Sequence, residues 1–119
     1  MNKTLILGAS PSIHRYAYRA AHDLLSNGHE IVPVGIKSGQ VFGKEIINSK
    51  ALQEGVDTIT LYISPQHQTE WYDYILQTAP RRIIFNPGTE NTELAQLAQK
   101  QGIEVDFACT LVMLSVGTY

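Results

Sequence analysis

The chain has 119 residues, 44% of them apolar and 17% charged, which is one domain's length with enough apolar material for a core and excludes a disordered polypeptide. Nine basic and eleven acidic residues give a formal net charge of −2, so no global field draws the chain to nucleic acid and any bound anion must be held by local groups. The single cysteine, Cys109, excludes an internal disulfide, and no apolar stretch approaches membrane-spanning length; with no signal-peptide pattern after Met1, the expectation is a cytoplasmic protein contacting neither nucleic acid nor membrane.

Short β-rich runs alternate with helical ones along the chain. The first strand falls on residues 4–8 and ends in Gly8-Ala9-Ser10. A helix over 15–27 follows, with Ala17, Ala20, Ala21, Leu24 and Leu25 on one face, the stripe of a helix lying on a sheet. Gly28 suits the left-handed position just past its end. The second strand covers 30–34. Pro33 lies inside it and lacks a ladder donor, which calls for a bulge or a shorter strand. A short helix over 49–54 leads to a third strand at 57–63. Ser64-Pro65 then reads as an N-cap followed by proline at the first helical position, opening a helix to about residue 77 that buries Trp71, Ile75 and part of Tyr72 or Leu76. The run RIIF at 82–85 is a fourth strand. A helix with Leu94, Ala95, Leu97 and Ala98 inward ends at Gly102, and 103–107 is a fifth strand. The last stretch, CTLVMLSVGTY, fits a short helix or a closing strand equally.

This alternation implies βαβ units with right-handed crossovers. The expected fold is α/β, a Rossmann-like doubly wound, mainly parallel five-stranded sheet with helices on both faces, in the strand order 3-2-1-4-5. One domain spans 1–119. In such a sheet ligands bind outside the carboxyl ends of the strands. That edge is built from the loops at 8–15, 35–39, 64–67 and 86–91. The first loop feeds a helix N-terminus, where free N–H groups and the helix dipole favour an anion. Gly8 permits a tight turn, Ser10 and Ser12 add hydroxyls, and Arg15 adds a planar, permanently charged fork. Lys37 follows the second strand, where a nicotinamide-binding domain carries an acidic ribose contact; a lysine there favours a phosphorylated ribose.

These residues resemble a known family, the small stand-alone CoA-binding proteins, similar to the CoA-binding domain of the succinyl-CoA synthetase alpha subunit. The first loop of that family is matched by Gly8-Ala9-Ser10, Arg15 and Tyr18-Arg19, its proline-glycine turn by NPGTEN at 86–91, and its closing cysteine segment by ACTLVML at 108–114. Where the family shows asparagine-proline-lysine after the second strand, this chain has Gly35-Ile36-Lys37. Ile13-His14 stands where proline and glycine are common. The resemblance implies coenzyme A or an acyl-CoA across the strand ends. Ser10, Arg15 and Lys37 would meet its phosphates, and Ile63, Ser64 and Pro65 would border the adenine or pantetheine. Pro87, Gly88 and Thr89 would close the far side. The implied cofactor-binding set is Gly8, Ala9, Ser10, Ser12, Arg15, Tyr18, Gly35, Lys37, Ile63, Ser64, Pro65, Pro87, Gly88 and Thr89, with no catalytic or metal residue. The ligase's phosphohistidine chemistry belongs to a second domain and does not carry over.

His14, in the first loop, is an acid–base candidate or an exposed loop histidine. His67 either contacts ligand or lies on the surface. His22 and His29 have no metal-ligand spacing. Cys109 reads as a redox-active thiol or a small buried residue. Glu90 reads as a helix-start carboxylate, and an exposed tyrosine among Tyr72 and Tyr74 would mark a subunit contact. The expectation is a non-catalytic or regulatory CoA-binding module with a small-molecule nucleotide ligand. Self-association or an unidentified protein partner stays open. So do an NAD(P)-binding enzyme or redox sensor on the same fold, and a degenerate domain used for oligomerisation.

Overall fold

A computed structural model describes residues 2–119. Five parallel strands form one sheet: β1 (Lys3–Leu7), β2 (Glu30–Val34), β5 (Thr58–Leu61), β6 (Arg82–Phe85) and β7 (Glu104–Phe107). Their spatial order is β2-β1-β5-β6-β7. In terms of successive strands this is 2-1-3-4-5, not the expected 3-2-1-4-5. The chain leaves β2, crosses β1 and lays β5 on its far side, with Leu5 opposite Ile59 and Val32. The reversal of winding therefore falls between β1 and β5.

Side chains alternate across the sheet, and the two faces differ in chemistry. Leu5, Leu7, Val32, Val34, Ile59, Leu61, Ile83 and Phe85 point to one face, buried under α3 (Tyr72–Thr78) and α4 (Thr92–Lys100) through Tyr74, Ile75, Leu94, Ala95 and Ala98. This face is a continuous apolar core. On the other face α1 (Tyr16–Ser26) packs through Ala17, Ala21 and Leu24 against Ile6 and Ile31, joined by Leu114 of α5 (Thr110–Val116). Toward β5 and β6 that second face turns polar: Thr4, Thr58, Thr60 and Arg82 are all buried.

The helical stripe of α1 matches the sequence pattern except at Leu25, which lies outward, 38% exposed. Pro33 resolves without a bulge or a shortened strand. β2 is an edge strand of full length, and Ile47 N–H donates to Pro33 O at 2.9 Å from the outer side. The ring nitrogen faces that same side, where the sheet needs no donor.

Between β2 and β5 the expected helix at 49–54 is absent. A two-residue hairpin, β3 (Gln40–Val41) and β4 (Lys44–Glu45), stands earlier in the segment instead. Its turn residues Phe42 and Gly43 both have positive φ, the geometry of a tight hairpin turn, and the Phe42 ring packs 4.8 Å from that of Tyr18. The single helix expected to reach residue 77 is broken into α2 (Pro65–Gln68), a 3₁₀ turn (Thr69–Trp71) and α3. The last stretch is the helix α5. No described helix is long and apolar enough to cross a membrane.

Pro33 is buried on an edge strand, so a new N–H there breaks no ladder bond but gains no ladder partner, and Pro33→Ala should change stability by less than about 2 kcal/mol. Ile59→Pro in the interior strand β5 should cost more than about 3 kcal/mol. Chemical denaturation of both variants checks this, and a large loss from Pro33→Ala would contradict it.

Candidate functional site

The carboxyl ends of β1 and β5 diverge at the switch point and leave a cleft of about 420 Å³. Segments after four strands line it: Gly8, Ala9, Ser10 and Arg15 after β1; Gly35, Ile36 and Lys37 after β2; Tyr62, Ile63, Ser64 and His67 after β5; and Pro87, Gly88 and Thr89 after β6. Tyr16 and Ala17 extend the first bank into α1, while Glu70 and Trp71 extend the third.

Gly8 is fixed by its neighbours. Its φ is +98°, and a Cβ there would lie 2.8 Å from the Tyr62 carbonyl carbon. The Gly8 and Ala9 amides both donate to Val34 O, at 2.9 and 3.1 Å, so this turn spends its N–H groups on β2. Ser10 is buried, and its Oγ accepts the Ser12 N–H at 3.1 Å, which leaves the hydroxyl proton to be given elsewhere. Arg15 is the N-cap of α1 and makes no side-chain cap. Among the described residues the Tyr16 and Ala17 amides meet no acceptor, so the positive end of this helix opens on the cleft.

The far bank is held from beneath by buried amides and hydroxyls. Asn86 Nδ2 donates to Thr60 Oγ1 at 2.7 Å and to Leu61 O at 2.8 Å, while its Oδ1 accepts the Thr110 N–H at 2.9 Å. Thr60 and Thr110 share a hydroxyl bond of 2.8 Å. The Asn86 carbonyl accepts both the amide and the hydroxyl of Thr89. Gln68 Nε2 then bonds Thr89 O and Ile63 O, and Gln68 Oε1 accepts from Asn91, which caps α4 at Leu94 N. The loops after β5, β6 and β7 are thus pinned as one body. Glu90 Oε1 accepts the Gly88 N–H at 2.9 Å, so the amides of the Pro87-Gly88-Thr89 turn are also occupied.

Several sequence candidates lie elsewhere. Ser12 is exposed outside the cleft, Tyr18 faces the β3–β4 hairpin, and Pro65 opens α2 without lining the cavity. His14 is exposed and Cys109 is the N-cap of α5; neither lines the cleft. Tyr72 is half-buried and Tyr74 buried, so neither is the exposed tyrosine sought as a subunit contact. Burial also pushes the Tyr72 phenol up from its usual range.

The sequence reading did not assign Tyr16, Ile36, Tyr62, Glu70 or Trp71 to the site. Tyr16 and Ile36 carried a signal in adjoining Arg15 and Lys37. Tyr62 also lines the cleft, and its hydroxyl is buried without a partner among the described residues; burial raises its pKa well above the usual phenol value. No described group of three or more His, Cys, Asp or Glu side chains is gathered for a metal ion.

A family model described as CoA binding domain matches residues 2–115. A crystal structure of a protein described as uncharacterized is 60% identical, covers 100% of this chain and 98% of its own, and superposes with a TM-score of 0.99. A hypothetical protein from Pyrococcus horikoshii OT3 is 23% identical over 97% of this chain and 82% of its own, with a TM-score of 0.87. A Thermus thermophilus protein is 22% identical over 99% and 90%, also with a TM-score of 0.87. These last two speak to the fold alone. No curated protein matches the chain.

Asn86→Leu removes the bonds to Thr60 Oγ1, Leu61 O and Thr110 N, leaving Thr60 Oγ1 only its bond to Thr110, and should cost about 2–4 kcal/mol in a urea titration. Gly8→Ala should cost about 2 kcal/mol or more, from the positive φ and the contact with Tyr62. Wild-type denaturation midpoints for either variant would contradict the geometry described.

Proposed function

This chain belongs to the CoA binding domain family, and on that premise we propose that it is a module that holds coenzyme A or an acyl-CoA without transforming it, as a carrier or regulatory domain. One observation supports the reading above the others: Arg15 and Lys37, from loops after two different strands, line the same cleft as the open amides of α1.

Phosphate groups are matched by that bank. The Arg15 guanidinium offers paired donors, the Tyr16 and Ala17 amides offer the helix terminus, and Ser10 has a hydroxyl proton to give. Lys37 on the neighbouring loop is suited to the ribose 3′-phosphate that distinguishes coenzyme A from its dephospho form. The opposite bank has the complementary character. Its Pro87-Gly88-Thr89 turn has spent its amides internally and carries the Glu90 carboxylate beside it, so it suits the uncharged pantetheine arm better than a phosphate. Ile63 and Ser64 lie between the two banks' loops along the same cleft.

Titration calorimetry tests the reading. Coenzyme A should bind, and 3′-dephospho-coenzyme A more weakly. Arg15→Ala should weaken coenzyme A by more than about 1 kcal/mol. Lys37→Ala should bring the two ligands toward equal affinity. Absence of heat with coenzyme A would overturn the reading, and equal wild-type affinity for both ligands would remove the 3′-phosphate from it.

A further inference from the structure

The crossover from β2 to β5 carries no helix. After β4 the chain adds Ile47 to the outer edge of β2, where its N–H donates to Pro33 O at 2.9 Å and its carbonyl accepts the Gly35 N–H at 3.0 Å. It then runs on without helix or strand to β5, with Ile47 and Val56 packed into the core on the α3–α4 side of the sheet. A crossover helix satisfies its own backbone. This segment is fastened by side chains instead.

Two of those fastenings reach opposite banks of the cleft. Asn48 Nδ2 donates to Gly35 O at 2.7 Å and to Lys37 O at 2.9 Å. Two residues later Lys50 Nζ donates to Glu70 O at 2.6 Å and stands 5.0 Å from the centroid of the Trp71 ring. Gly35 and Lys37 line the near bank, Glu70 and Trp71 the far one. Beneath the cleft the banks are joined by the β1–β5 ladder; at the surface this segment joins them. Two residues of chain span about 7 Å at most, which leaves little slack between the two fastenings. The hold of Lys50 depends on its charge, because the carbonyl bond is charge-assisted and the ring face attracts a cation.

We propose that Asn48-Ser49-Lys50 is a clasp across the cleft, and that the Lys50 ammonium is its positioning group, fixing the Glu70–Trp71 wall at a set distance from the Lys37 loop. This rests on the reading of the cleft as a coenzyme A site and adds to it a residue that does not itself line the cleft. A ligand engaging both banks meets a gap already set and is spared the cost of ordering it. A ligand seated on the near bank alone gains nothing from the clasp. Lys50 therefore contributes to affinity for the whole of coenzyme A and not for its nucleotide half.

Lys50→Met and Lys50→Arg test the clasp, the first keeping an apolar stem without the charge, the second keeping charge, donors and ring contact. Lys50 is exposed, so thermal melts of both variants should match wild type. One readout uses no ligand: acrylamide quenching of Trp71, the chain's only tryptophan, should rise in Lys50→Met and stay at the wild-type value in Lys50→Arg. The other is calorimetry with coenzyme A and with adenosine 3′,5′-bisphosphate. Lys50→Met should weaken coenzyme A about three- to fivefold, the scale of an exposed cation–π contact, and leave the bisphosphate unchanged. Lys50→Arg should bind both as wild type does. Wild-type quenching or wild-type coenzyme A affinity in Lys50→Met overturns the clasp, as does an equal loss for both ligands, and each of these leaves the coenzyme A reading standing. Failure of coenzyme A to bind the wild-type chain overturns that reading, and the quenching series then decides the clasp alone.

Discussion

Asn86 occupies the point on which the ligand edge depends. Strands of a parallel sheet end there with unpaired carbonyls and amides, and three loops must leave in different directions. Its side-chain amide takes up the Thr60 hydroxyl and the Leu61 carbonyl with its two protons, and the first amide of α5 with its oxygen. The backbone carbonyl of the same residue fixes Thr89 twice. One buried residue therefore satisfies β5, starts α5 and shapes the turn at residues 87–89. Gln68 repeats the device one layer out, tying Ile63 to Thr89 and Asn91. The far bank of the cleft is consequently set by interior hydrogen bonds that exist without a ligand, which lowers the ordering cost a ligand must meet.

The near bank is built on different terms. Gly8 and Ala9 give their amides to Val34, and the close approach of Tyr62 admits no side chain at residue 8. The glycine is thus explained by the packing of β1 against the end of β5. What remains for a ligand is the unspent chemistry: two free amides at the start of α1, two cations, and two apolar side chains held in water. One bank is saturated and neutral to acidic, the other unsaturated and cationic. That asymmetry gives the cleft a direction, and it fits a ligand with a charged nucleotide end and an uncharged arm.

Much of this was legible in the sequence, for identifiable reasons. The stripe Ala17, Ala20, Ala21, Leu24 can only be a helix on a sheet, and Gly8, Lys37 and Pro87-Gly88 stand at strand ends whatever the strand order. Strand order differs from the sequence expectation because parallel neighbours are set by crossovers far apart in sequence and not by any local pattern. The broken helix after Ser64 turns on Gln68, a polar residue fully buried by partners more than twenty positions away. Residues 49–54 have helix-forming composition but too little apolar surface to hold a short helix, and Leu52 there is 52% exposed. Thr58 and Thr60 looked like ordinary strand residues; only their alternation with Ile59 and Leu61 carried the hint that one face of β5 is polar. The positions of Arg15 and Lys37 at strand ends are legible in the sequence, whereas the exposure of Tyr16 and Ile36 beside them is not.

Amide chemical-shift mapping on addition of coenzyme A tests the central claim most directly, since it reports where the ligand sits without presuming any residue's role. The account predicts perturbations concentrated at Gly8, Ser10, Tyr16, Ala17, Ile36, Lys37 and Gly88, with the opposite edge of the sheet around His29, Arg82 and Tyr119 unchanged. A spectrum that does not move, or shifts gathered at His29, Arg82 and Tyr119, would contradict it.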